Sequence, residues 1–346
     1  MTPNRYGASV SEVEELVRGL GEPAYRARQV WDALYRRAVP LEAATDLPRR
    51  LREQLEEALP LALRPVVDAT SADGATRKWL WACGGRRDAQ VETVLMEYPD
   101  RATVCVSSQA GCAMGCTFCA TGQEGFERHL ESGEIVEQVL RAAHASDRRV
   151  SNVVYMGMGE PLANYDAVWT SVERLHDALG LSARHLTVST VGVVPGMRRL
   201  ARERLPVTLA VSLHAPDDEL RSTLVPLNRR YPLGEVLDAA AEVAAARGRR
   251  VTFEYALIQD VNDGLEQAER LARLLVAVRL RGGAHVNVIP LNPTAGFDGR
   301  GPAPGIARAF AARLEAGGVR ATVRRNRGVD IDAACGQLRA RELTGS

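Results

Sequence analysis

Hydrophobic positions along this chain recur with two periods, and the places where the period changes divide it. Residues 1–65 carry a helical repeat. In SVSEVEELVRGLGEPAYRARQVWDALYRR, Ser11 with Glu14 three residues on reads as an N-cap pair. Gly19–Leu20–Gly21 interrupts the repeat, and Pro23 stands where a second helix would begin. This is a helix-hairpin-helix-like accessory domain whose exposed N–H groups could hold phosphate, although plain helical packing fits the same pattern. Residues 66–100 change to strand composition: TRKWLWACGG and QVETVLMEY, with a turn around Gly84–Gly85, predict a small β-extension.

From residue 101 to 346 strand and helix patterns alternate. ATVCVSS, VSNVVYMGM, HLTVST, PVTLAVSLH, RVTFEYALI and AHVNVIPLN read as strands, with a shorter VRATVRR at the end. Amphipathic helices such as SGEIVEQVLRAAHA and PLGEVLDAAAEVAAARG lie between them. Apolar strands separated by helices predict a parallel sheet with right-handed crossovers. Six such units predict an α/β fold, a partial (β/α)6 barrel of the TIM type, whose function gathers at the C-terminal ends of the strands. Polar and Gly-rich segments do follow the strands, at 107–126, 157–165, 189–192, 212–218 and 290–296. The stretch 293–305, rich in Gly and Pro, reads as a mobile loop.

Composition narrows the class without naming it. Hydrophobic content of 46% and charged content of 25% are those of a globular protein. No apolar run is long enough to span a bilayer and the N-terminus has no signal-like core, so a cytoplasmic protein that makes no membrane contact is expected. A net charge of +1 excludes a histone-like nucleic-acid binder, leaving only local contacts. Lys78 is the sole lysine. That bias toward Arg is what a GC-rich coding sequence gives, and it carries no functional weight here.

Half of the six cysteines crowd into one stretch, QAGCAMGCTFCATGQEGF, as Cys112, Cys116 and Cys119. In a reducing compartment such usage points to metal or catalysis. Structural zinc wants four ligands, so three cysteines would need a distant fourth. A [4Fe-4S] cubane held by three thiolates instead leaves one iron open to a small molecule, and the loop follows the first barrel strand, at the expected active-site mouth.

C-x3-C-x2-C after the first strand, with Phe118 before the last cysteine, resembles the radical S-adenosylmethionine (SAM) superfamily. GMGEP, residues 157–161, resembles that superfamily's glycine–glutamate turn. CATGQEGFERHL, VVYMGMGEPLAN, VSTVGVVPGM, VSLHAPDDELR and DIDAACGQL are similar to the RlmN/Cfr family of RNA adenine methyltransferases, over nearly the whole chain.

The resemblance implies a [4Fe-4S] cluster on Cys112, Cys116 and Cys119, with SAM contacted by Gly159, Glu160, Ser189, Ser212, Leu213, His214 and Asn292. It implies that Cys335 becomes an S-methylcysteine intermediate, that Cys105 resolves it through a disulfide with Cys335, and that Glu92 accepts a proton. It further implies methylation of adenine C2 in 23S ribosomal RNA and transfer RNA, two SAM per turnover, an electron donor such as flavodoxin, and a monomer. Without the resemblance, Glu92 reads as a solvent-facing strand residue and His214 as structural. Methylation at adenine C8, or a metal-cluster protein that binds RNA without catalysis, are the alternatives. Cys83 matches no family position and reads as packing. Around Cys335, Asp330 and Asp332 would raise the thiol pKa while Arg324, Arg325 and Arg327 would lower it.

Overall fold

The computed structural model describes residues 4–83, 89–278, 280–324 and 326–338; the turn expected at Gly84–Gly85 and the expected influence of Arg325 lie outside them. Three helices open the chain: α1 (Val10–Gly19), α2 (Tyr25–Trp31) and α3 (Arg49–Ala58). The cap of the first lies two residues before the expected one. Ser9, not Ser11, accepts from Glu12 N–H at 3.2 Å, while the Glu12 carboxylate accepts from Ser9 N–H at 2.7 Å. Both S-x-x-E pairs satisfy the capping pattern, and the upstream one starts the helix early enough to bury Val13 and Val17 on one face. Gly21, at φ 78°, makes the break after α1. Arg174 ties this module to the rest: its guanidinium donates to Ala8 O at 2.7 Å and the Tyr35 hydroxyl at 2.8 Å, and stacks on Trp31.

Twelve strands follow: β1 (Arg64–Thr70), β2 (Thr76–Ala82), β3 (Gln90–Glu97), β4 (Ala102–Cys105), β5 (Gln109–Gly111), β6 (Phe126–His129), β7 (Val150–Tyr155), β8 (Leu186–Thr190), β9 (Thr208–Ser212), β10 (Val251–Leu257), β11 (Ala284–Pro290) and β12 (Arg320–Val323). Ten of them form one sheet in the order β1-β2-β3-β4-β7-β8-β9-β10-β11-β12, and β5-β6 is a separate small ribbon. From β4 to β12 every neighbour is parallel. Six crossovers carry α5 (Ser132–Ala145), α6 (Tyr165–Asp177), α7 (Val194–Leu200), the pair α8 (Asp218–Leu224) and α9 (Leu233–Arg247), α10 (Leu265–Ala277) and α11 (Pro304–Ala316), with the short α4 (Ala120–Glu124) after the cysteine loop. The result is an open, partial barrel with β1 and β12 as its edges.

Residues 64–97 are an antiparallel meander hydrogen-bonded to the barrel through β3 and β4, so they extend its wall. Outer and inner faces of this wall are distinct. Trp81 Nε1 donates to Thr93 Oγ1 at 3.0 Å, and Thr93 in turn donates to Gln138 on α5 at 2.9 Å, so that face is covered by helix. Lys78, Val94 and Cys105 occupy paired positions, with Glu92 two residues along, and therefore share the opposite, concave face.

The stretch 293–305 is irregular and tied at several points: Gln337 donates to Pro293 O, Gln123 to Thr294 Oγ1, and Gln259 N–H to Arg300 O. Among the described residues no helix is long and apolar enough to cross a membrane.

Candidate active site

Strand ends β7 to β11 open onto a cavity of about 160 Å³ at the C-terminal mouth of the barrel. Of the residues expected from sequence, Cys116, Cys119, Gly159 and Glu160 line it. Ser189, Ser212, His214, Asn292 and Cys335 line it as well. Cys112, Leu213, Glu92 and Cys105 do not. Leu213 is fully buried with its backbone committed elsewhere: its N–H donates to Glu254 O at 2.9 Å and its carbonyl accepts from Arg221 at 3.0 Å.

The Gly-Met-Gly-Glu turn is shaped by close approach. Gly159 has φ 97°, and a Cβ there would sit 2.5 Å from Gln109 Cβ, so only glycine fits. That turn lets Gln109 Oε1 accept from Glu160 N–H at 2.8 Å. The Glu160 carboxylate accepts from Leu162 N–H and Val191 N–H, both at 2.9 Å. Burial pushes its pKa up to about 7 against these bonds, and no cationic side chain among the described residues is paired with it. A buried carboxylate facing a cavity without a cation suits an incoming ammonium, as the amino group of SAM would supply.

His214 has φ 64°, the left-handed region, and is held there by Asn262, which donates to its carbonyl at 2.8 Å. Its Nδ1 accepts from Ala256 N–H at 2.9 Å, so the proton of the neutral ring is on Nε2. Burial, with Arg221 nearby, lowers its pKa to about 3, leaving a neutral donor. Phe118 packs edge-on against this ring at 4.8 Å, which connects the cysteine loop to β9.

Burial raises the pKa of Cys112 to about 12 and raises that of Cys116, with the neighbouring thiols adding to both shifts. Positive charge at this loop would offset both effects. Among the described residues no three His, Cys, Asp or Glu side chains converge as ligands of one ion. A cubane asks for something else, since each thiolate meets a different iron. The three thiols fit that group, with Cys116 feeling both of the others.

Cys335 reaches the cavity because its segment is pinned from both ends. Asn292 Nδ2 donates to Cys335 O at 3.0 Å, Ala120 N–H to Gly336 O at 2.9 Å, and Thr121 Oγ1 to Leu338 O at 2.6 Å. The thiol is solvent-accessible through the cavity while lying deep in the fold. Desolvation first, then the Glu254 carboxylate, pushes its pKa up to about 11, with Arg324 acting the other way. The expected acid pair is therefore corrected: Asp330 turns aside to accept Ala72 N–H at 2.8 Å, and the carboxylate acting on Cys335 is Glu254. Arg327 stacks on Tyr98, 4.4 Å from its centroid, and donates to Glu97 O. Cys105, at the end of β4, is buried and outside the cavity lining. Burial raises its pKa, with the charge of Cys335 adding to the rise.

Glu92 is not solvent-facing; it is 1% exposed and paired with Lys78 at 2.9 Å. Cys83 is buried and donates to Ala89 O. Two further residues escaped sequence reading. Glu254, on β10, lines the cavity and accepts from Asn287 at 2.8 Å. Arg221, fully buried, donates to Val191 O (2.6 Å), Asn228 Oδ1 (2.7 Å), Leu213 O (3.0 Å) and Ser212 O (3.2 Å), stitching the ends of β8 and β9 together. A lone acidic residue amid the apolar β10 pattern VTFEYAL could have flagged Glu254; nothing local distinguishes Arg221 among so many arginines.

Comparison with known proteins agrees with this geometry. The radical SAM superfamily model matches residues 106–275. The chain is 55% identical to a probable dual-specificity RNA methyltransferase RlmN of Frankia alni, over 98% of this chain and 84% of that one. It is 51% identical to its counterpart from Chloroflexus aurantiacus, over 97% and 92%. A crystal structure of a radical SAM methyltransferase from Sphaerobacter thermophilus superposes with a TM-score of 0.90 at 50% identity, covering 98% of this chain and all of the other. The chain belongs to the RlmN-type RNA methyltransferases of the radical SAM superfamily, enzymes that work with a [4Fe-4S] cluster and SAM.

Proposed function

We propose that this protein methylates C2 of a specific adenine in 23S ribosomal RNA and in the anticodon loop of transfer RNAs, with Cys335 as the methyl carrier. The observation that carries this reading is the placement of Cys335: its backbone is bonded to Asn292 and, through Gly336, to the cysteine loop, and its thiol opens into the same cavity as Glu160. When bound, the cluster and SAM supply an electrophilic methyl group and, after one-electron reduction, a 5′-deoxyadenosyl radical that abstracts hydrogen.

Adenine C2 is too electron-poor to attack a methyl sulfonium, so a carbon radical must be brought to it. Cys335 takes a methyl by displacement as a thiolate, and its S-methyl group then gives up one hydrogen atom. The carbon radical on Cys335 adds to C2. The adduct gives its ring proton to Glu92, and the redox group that Cys112, Cys116 and Cys119 would hold would accept the one electron that leaves with it. Cys105 attacks the Cys335 sulfur. The C–S bond pair stays with carbon, which takes a proton and becomes the methyl group, and a Cys105–Cys335 disulfide is left. An external dithiol reduces that disulfide. Glu160, the Ser189 and Ser212 strand ends, the neutral His214 and Asn292 hold SAM, and Cys112, Cys116 and Cys119 hold the cluster. An extruded base fits the geometry, because C2 must leave its stack to meet Cys335. The protein acts as a cytoplasmic monomer, with a flavodoxin-type electron donor.

The test is anaerobic turnover of reconstituted protein with SAM, a one-electron reductant and unmodified 23S RNA, read by nucleoside mass spectrometry. 2-Methyladenosine is expected. 8-Methyladenosine would assign C8 chemistry, and no methylated adenosine from protein with an intact cluster would overturn the assignment.

A further inference from the structure

The chain holds 44 basic residues, of which Lys78 alone is lysine, so the other 43 (44 − 1) are arginine. That single ammonium is not on the surface. Lys78 is 3% exposed on β2, its Nζ 2.9 Å from Glu92 Oε1 and 3.3 Å from the carbonyl of Asp332. Glu92 sits two residues from Val94 on β3, and Val94 pairs with Lys78 on one side and Cys105 on the other. Asp332 lies three positions before Cys335. One lysine therefore touches the carboxylate expected to take the ring proton and the segment that carries the methyl, on the same concave face as Cys105.

We propose that Lys78 is a positioning residue for the methyl-transfer cycle: it holds Glu92 as an aimed anion and locks the Cys335 segment against it. The inference rests on Glu92 being the proton acceptor. A buried carboxylate is costly in its charged form unless a cation and hydrogen bonds accompany it, and an acceptor must be charged when the adduct forms. Lysine suits this place for a physical reason. Its ammonium is compact, with three donors free to rotate, so it serves a carboxylate and a carbonyl from one point. A guanidinium presents a wider planar fork that pairs with both oxygens of one carboxylate and is less suited to a carboxylate and a carbonyl met from one point. Asp332, at φ 52°, and Gly328, at φ 62°, bend the chain so that its carbonyl meets the ammonium. The bond from Ala72 N–H to Asp330 secures the same turn from the neighbouring β1–β2 connection.

The experiment follows three quantities in single turnover with full-length reconstituted protein: methyl on Cys335 by peptide mass spectrometry, 5′-deoxyadenosine, and methylated adenosine. Lys78→Met should lower the ratio of methylated adenosine to 5′-deoxyadenosine at least tenfold and leave covalent protein–RNA adduct in its place. Adding ethylammonium to Lys78→Ala should recover part of the ratio, which a purely structural role would not show. Adding Lys78→Met to Glu92→Gln should lower the ratio no further than Glu92→Gln does alone, because the lysine acts through the carboxylate. An unchanged ratio in Lys78→Met, or losses that multiply in the double variant, would overturn the proposal. If Lys78→Met does not fold, Lys78→Ala with ethylammonium decides by itself: recovery supports the role and no recovery contradicts it. Failure of the underlying reading has its own signature, a wild-type ratio in Glu92→Gln.

Discussion

Glu160 and Glu92 are both buried carboxylates, 2% and 1% exposed; Glu160 lines the cavity, whereas Glu92 lies outside its lining on the antiparallel wall. Their environments differ. Glu160, on the parallel side, is surrounded by backbone N–H donors and has no cationic partner among the described residues, and its pKa rises to about 7. Glu92, on the antiparallel side, carries its own ammonium at 2.9 Å. Burial alone therefore does not define what a carboxylate is for. Under the proposed function the difference has a use: Glu160 is left without a cation for a charged ligand, whereas Glu92, which must be an anion during reaction, has its cation built in.

The comparison is broken most severely at the thiol that shares the cavity with Glu160. Cys335→Ala should abolish methylated adenosine altogether, and Cys105→Ala should halt after one event with RNA covalently attached, seen as a denaturant-resistant gel shift. Methylation at the wild-type level by either variant would remove that cysteine from the route. Next in size is the cation-seeking wall: Glu160→Gln should weaken SAM binding by about 2–3 kcal/mol, roughly 30- to 150-fold by calorimetry, since a charge-assisted bond is lost. Unaltered affinity would show that the bare carboxylate is not an ammonium site.

A smaller effect should follow from His214. The unfolded imidazole takes its proton near the ordinary 6.5 and the folded one only near 3. The native state therefore holds its full advantage above about pH 6.5 and loses it as pH falls toward 3, at up to ~1.4 kcal/mol per pH unit. His214→Asn, which tolerates the positive φ and keeps an acceptor for Ala256 N–H, should flatten that part of the stability–pH curve in chemical denaturation. A slope that survives would assign the titration to another group. The smallest effect lies far from both walls. Ser9→Ala should cost about 1 kcal/mol of stability through the lost N-cap, with methylation per folded molecule unchanged.

Much of this architecture was legible because it is written locally. Strand and helix periods gave the six crossovers, and the C-x3-C-x2-C spacing and Gly-Met-Gly-Glu turn marked the mouth of the barrel. What escaped depends on residues that meet across the chain. Lys78 and Asp332 are 254 positions apart, and nothing in TRKWLW says that the lysine faces inward, so composition alone dismissed it. Arg221 looks like any helical arginine until its four acceptors are seen. The helix start at Ser9 was missed for the opposite reason: two equally good local signals stand two residues apart, and burial of Val13 and Val17 chose between them. Asp330 was misjudged because proximity in sequence stood in for proximity in space, and its carboxylate turns to Ala72 instead.

The central claim is that the transferred carbon spends part of the cycle as a methylene on Cys335. Turnover with SAM bearing a fully deuterated methyl group, followed by mass spectrometry of the methylated adenosine, tests it most directly. The carbon should arrive with two of its three deuterons, the third appearing in 5′-deoxyadenosine and a solvent-exchangeable proton replacing it. Retention of all three in the product would mean direct methyl transfer and would contradict the account.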